Sequence, residues 1–134
     1  MNLIFMILFT IIREELRNKM SDSYYTHEDK ASLQKTNASE NIVTKEKLES
    51  YFSITAEALE KVNNSEVDEN NKDRVDDFLL MAVSYFNDAK HFAFEKKDFV
   101  LAYGALNYAH AWLDAGARIG LFKVKDSRLF TVDD

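Results

Sequence analysis

The segment from Asp98 to Leu121, DFVLAYGALNYAHAWLDAGARIGL, constrains the fold most, because it carries the signals of both ends of one helix. Asp98 is an N-cap residue, able to accept a hydrogen bond from an orphan backbone N–H. Gly120 supplies a left-handed position after the last turn, and Leu121 can fold back over that turn in a Schellman cap. Between them nearly every residue is apolar or small, apart from a stripe of Tyr103, Asn107, His110, Asp114 and Arg118. A helix apolar around most of its circumference is wedged between neighbours rather than laid on a surface.

Those neighbours are legible upstream. Thr44 is a candidate N-cap for a first helix, in which Leu48, Tyr51, Phe52, Thr55, Leu59 and Val62 recur at three and four. Glu46, Glu49, Ser53, Glu57, Glu60 and Lys61 fill its other side, with Glu57 and Lys61 in the favourable i,i+4 order. This helix should fade near Asn63 and Asn64. A polar connector, NNSEVDENNK, leads to a second helix starting between Asp68 and Asp73. Val75, Phe78, Leu79, Ala82, Tyr85, Phe86, Ala89, Phe92 and Ala93 make its core face, and it runs to Lys96 and Lys97. So short a joint to Asp98 requires the second and third helices to form an antiparallel hairpin.

The third helix presents two apolar stripes, Phe99, Ala102, Leu106, Ala109, Leu113 and Gly116 beside Leu101, Ala105, Tyr108, Trp112, Ala115 and Ile119. Two stripes predict two neighbours. The expected fold is therefore all-α, a small three-helix bundle over residues 44–134. The tail from Phe122 should lie against it through Leu129, Phe130 and Val132. Pro is absent and Gly occurs three times, which favours helices with polar connectors over sheets with tight turns.

Residues 1–19 open with the apolar run MNLIFMILFTII. At about 1.5 Å per residue its helix would reach roughly 18 Å, well short of a roughly 30 Å hydrocarbon core, so no stable membrane insertion is expected. It lacks the basic start and small-residue cleavage site of a secretory signal. A membrane-surface anchor, a flap on the domain and an artefact of start-site choice all fit, and the last is preferred. Residues 20–43 are polar and aperiodic, and read as a disordered linker that cannot offset its ordering entropy.

Charge narrows the function. A net charge of −6 argues against nucleic acid, whose binders cluster Lys and Arg. No cysteine is present, which removes thiol nucleophiles and Cys-ligated zinc and is compatible with the cytoplasm. His110 and Asp114 share a helix face and could orient a proton or hold a metal ion. Zinc or iron needs three or four ligands, however, and no second His or carboxylate pair has matching spacing on this helix. His91, beside Asn87, Asp88 and Glu95, falls opposite about residue 105, more than a turn from His110. The plain reading is a solvated stripe with an Asp114–Arg118 pair. Neither a phosphate-binding Gly loop nor a nucleophile elbow nor HExxH occurs. Trp112 and the other aromatics sit at helical spacing, as core residues do. Gly104 and Ala111, small and beside the polar stripe, are where a partner groove is sought.

The stretch from Phe78 to Leu121, with FLLMAVSYFNDAKHF and LAYGALNYAHAWLDAGARIGL, resembles an archaeal family of short helical proteins, the domain of unknown function 357. The likeness covers about residues 45 to 132, and Ala109 to Leu121 is its most specific part. It implies a compact helical bundle and an archaeal, intracellular source, and it supplies no catalytic residue. The joint EKKDFVLAYGALNYA also looks like the middle of a tetratricopeptide hairpin, but one hairpin without repeats is not a solenoid. The chain is similar, too, to nucleotide-binding and toxin-type helical bundles whose ribonucleases place His four to six residues after Arg. Arg118 has no His after it and Arg74 none before His91, which argues against that activity.

The expected function is a non-catalytic module that docks a protein partner or self-associates as a homo-oligomer, with no cofactor. The candidate partner-facing stripe is Tyr103, Asn107, His110, Asp114 and Arg118. The alternative is a small-ligand or metal-binding protein, or an enzyme, using His91, His110 and Asp114.

Overall fold

The computed structural model describes residues 41–133, together with Ile11, Ile12 and Glu14, which are helical. The chain falls into two units, residues 1–42 and 43–134. The expectations for residues 1–19 and 20–43 lie outside the described residues except at those few positions.

Three helices carry the second unit: α1, Lys45–Asn63; α2, Lys72–Lys90; and α3, Phe99–Arg118. Their ends follow from local chemistry. The Thr44 hydroxyl accepts from the Lys47 amide at 3.2 Å, and the Asp98 carboxylate from the Leu101 amide at 2.9 Å. Gly120, at φ 80°, closes α3 in the expected Schellman geometry: the Leu121 N–H donates to Gly116 O at 2.9 Å and the Gly120 N–H to Ala117 O at 3.1 Å.

The joints are less regular. Asp68 caps a 3₁₀ turn, Glu69–Asn71, and accepts from both the Asn70 amide and the Asn71 side chain. At the far end α2 widens into a π turn, His91–Lys96, and Lys97 then takes a left-handed φ of 58°. That residue reverses the chain into α3, so the predicted hairpin forms without glycine.

The three helices do not share contacts equally. α3 packs along both α2 and α1, whereas α1 and α2 meet sparsely. Around α3 lie two clusters. At the hairpin end Leu48, Ala89, Ala93, Ala102 and Leu106 are buried, and their alanines let the helix axes approach. At the other end Ala58, Val62, Val75, Ala82 and Leu113 close around Phe122, which is 1% exposed. Phe122 belongs to the tail, and the connector holds it there: Val67 and Phe122 form an antiparallel bridge, with Asp68 N–H to Leu121 O and Lys123 N–H to Glu66 O both at 2.9 Å. The tail then continues through Leu129 and Phe130, both buried, and half-buried Val132, as expected.

Two expectations are corrected. The second stripe of α3 has no complete neighbour: Ala105 is buried and Trp112 half-buried, but Leu101, Tyr108, Ala115 and Ile119 are exposed. Nor do Glu57 and Lys61 pair with each other. Glu57 takes Arg128 and Lys61 takes Asp126, both from the tail. No helix among the described residues is long and apolar enough to cross a membrane.

Candidate functional site

The polar stripe on α3 divides in two. In its upper part the half-buried Tyr103 ring meets Tyr51 of α1 edge-on at 4.6 Å, with the Lys47 ammonium 5.7 Å from its centre. Hydrogen bonding to Tyr103 holds the Tyr51 phenol above its usual pKa. Asn107 is exposed and donates to Tyr103 O one turn back.

The lower part holds the tail. His110 Nε2 lies 2.7 Å from Leu129 O, and a carbonyl only accepts, so this nitrogen carries the proton. The imidazole stacks on Phe130, and its Nδ1 is buried without a partner among the described residues. Asp114 accepts from the amide and the hydroxyl of Thr131, while Arg118 donates to Thr131 O at 3.2 Å. The stripe is thus solvated only in part, with Asn107 and Arg118 exposed, and in place of an Asp114–Arg118 pair both residues are joined to Thr131. The physical reason is that the tail, lacking a helix, needs partners for its own N–H and C=O groups. It therefore lies on the polar stripe of α3 and leaves the second apolar one open.

Between α1 and this stripe runs a groove of about 340 Å³ lined by Tyr51, Ile54, Thr55, Asn107, His110, Ala111 and Asp114. It brings His110 and Asp114 beside Thr55, whose side chain is buried. His91 does not join them: it is exposed at the π turn, its Nδ1 3.0 Å from Glu95 Oε2. Among the described residues, no three His, Cys, Asp or Glu side chains come together as a metal site.

Periodicity alone missed two surfaces. One is an aromatic ladder across the α2/α3 hairpin: Phe78 meets Trp112 at 4.9 Å, Trp112 meets Tyr108 at 6.3 Å, and Tyr108 meets Tyr85 at 4.4 Å, all edge-on. Tyr108 is 49% exposed, and about two turns before it and three turns after it on the same face Leu101 and Ile119 are bare at 52% and 64%. Gly104, on the same face, has open space where a side chain would stand. The second is an apolar groove of about 320 Å³ where α1 begins and the hairpin turns. A narrow bundle packed with Ala, Phe and Leu gives no reason to expect it. The sequence signal was Phe94 and Phe99 flanking a joint with no glycine.

The family model described as "Protein of unknown function (DUF357)" matches residues 50–122, from the second turn of α1 through the buried Phe122. Comparison with curated proteins and with solved structures finds no match.

Proposed function

The chain belongs to the DUF357 family, and we propose that it is a non-catalytic helical interaction module that pairs with a second copy through the outer face of the α2/α3 hairpin. The observation that supports this reading is the exposed apolar stripe of Leu101, Gly104, Tyr108, Ala111, Ala115 and Ile119. A contiguous apolar face on a small protein marks an interaction site. The stripe is also self-complementary. An antiparallel copy centred near residue 110 sets Tyr108 against Ala111, the small Gly104 against the small Ala115, and Leu101 against Ile119, so the apolar stripe meets itself under a two-fold axis. Net charge of −6 and absent cysteines suit a cytoplasmic protein that does not bind nucleic acid.

Sedimentation equilibrium on the full chain tests this. The parent is expected to dimerise, and Tyr108→Glu to sediment as a folded monomer with unchanged helical circular dichroism. A parent that stays monomeric throughout, or a mutant that still dimerises, removes the two-fold pairing.

A second reading rests on the groove between α1 and the polar stripe, where Thr55, Asn107 and Asp114 could hold a small polar ligand beside His110. It predicts a thermal shift with such a ligand that Thr55→Val abolishes while dimerisation persists.

A further inference from the structure

The apolar groove at the hairpin end lies apart from both surfaces above. Its wall is Leu48 and Phe52 from the first turns of α1, Ala93 and Phe94 from the π turn, and Phe99 from the start of α3. Phe94 stacks on Phe52, with ring centres 5.5 Å apart and planes 19° from parallel, yet it is 61% exposed. A π turn holds one residue more than an α turn, and such turns recur at functional sites. Here it carries an aromatic ring to the groove's mouth.

The rim is charged. Lys45, Glu49 and Lys97 complete the lining. The carboxylates of this corner have partners other than Lys97: Glu49 pairs with Lys45 at 3.6 Å, Glu95 meets His91, and Asp98 and Glu46 accept hydrogen bonds at the helix caps. Lys97 enters none of the ion pairs among the described residues. It also occupies a left-handed backbone position that glycine would fill with less strain. The positive ends of two helices open on the same corner, since Lys45 is the first residue of α1 and Phe99 the first of α3. An apolar wall and a rim lysine outside every ion pair among the described residues together suit a ligand with a hydrocarbon part and an anionic head.

We propose that this groove binds a soluble, monomeric anionic amphiphile, an alkyl or aryl carboxylate. Its chain lies on Phe52, Phe94 and Phe99, and its head is met by Lys97.

The test uses the full chain and dodecanoate below its micelle-forming concentration, with dodecanol as the uncharged analogue, followed by calorimetry and by the backbone amide shifts of Phe94, Lys97 and Phe99. Dodecanoate is expected to bind one to one, to move those amides, and to bind about tenfold more tightly than dodecanol, the worth of one charge-assisted contact. Lys97→Gly is the decisive variant, because it removes the cation while easing the backbone, so the fold persists. It should lose the same factor for dodecanoate and none for dodecanol. Equal binding of the two probes, no effect of Lys97→Gly, or shifts elsewhere in the chain overturns the proposal. So does binding only to anionic phospholipid vesicles, which would make the groove a membrane contact.

Discussion

Asp114, on the third helix, accepts hydrogen bonds from both the backbone amide and the hydroxyl of Thr131, seventeen residues further along the chain. With His110 and Arg118 it fixes a segment that has no helix of its own. The stripe that the sequence marks as a surface for partners is, in its lower half, where this chain binds itself.

Asp114→Ala should therefore cost about 1 to 2 kcal/mol, more than an exposed polar substitution, because two donors lose a charged acceptor. Thr131→Val, which keeps the amide contact, should cost less. Urea denaturation gives both values. Limited proteolysis supplies the local check: cleavage after residue 124 should quicken in Asp114→Ala, and equal rates would place the anchor elsewhere.

The acidic limb of stability rests on the same tail. The Arg128 guanidinium donates to both oxygens of Glu57, and Lys61 Nζ donates to Asp126 at 2.6 Å. These hydrogen bonds hold both carboxyls below the usual carboxylate range. A folded pKa below the unfolded one adds stability above about pH 4, and that gain is lost as pH falls through the folded value. The double variant Lys61→Ala/Arg128→Ala should thus melt below the parent at neutral pH. The gap should close below about pH 4, and it should narrow in high salt because the pairs face solvent. A gap that persists in acid would assign it to lost packing.

How much of the fold was legible depends on the range of the interaction. Thr44, Asp98 and Gly120 announce the helix ends because a cap reads only the next three or four residues. The antiparallel hairpin follows from a joint too short for anything else. By contrast Lys61–Asp126 and Glu57–Arg128 span 65 and 71 residues, and no local pattern links them. Sequence pattern also cannot tell whether an apolar stripe meets a neighbour or solvent. Leu101, Tyr108 and Ile119 have the same periodicity as Leu106 and Leu113, yet only the latter pair is covered. In the candidate site, residue types and shared face were readable for His110 and Asp114, whereas their engagement by the tail was not.

Trp112 illustrates that difference in energy. It is half-buried against Phe78 and Tyr108, and its indole N–H is buried without an acceptor among the described residues. Trp112→Ala should cost roughly 2 to 3 kcal/mol, below the range for a fully enclosed Trp. Trp112→Phe removes the unmatched donor and should cost less than about 1 kcal/mol. Denaturation of both variants measures the contrast, and a Phe variant as damaged as the Ala variant would show that the N–H has a partner.

Two glycines of the same helix should answer the same substitution with opposite signs. In a helix interior alanine is better than glycine by about 1 kcal/mol, so propensity alone favours alanine at Gly104 and Gly116 alike. At Gly104 a Cβ meets nothing within 4 Å among the described residues of its own chain, and Gly104→Ala should raise the stability of the monomer by most of that amount. At Gly116 a Cβ would come 2.6 Å from Cδ2 of Phe122 and closer still to Cε2. Phe122 cannot retreat, because it is 1% exposed and its backbone is pinned by the bridge to Val67. Gly116→Ala should therefore overpack the core and destabilise by about 1 to 3 kcal/mol net. Thermal melts of the two variants beside the parent give the result. Stabilisation by Gly116→Ala would mean that the tail ring does not sit against α3 in solution.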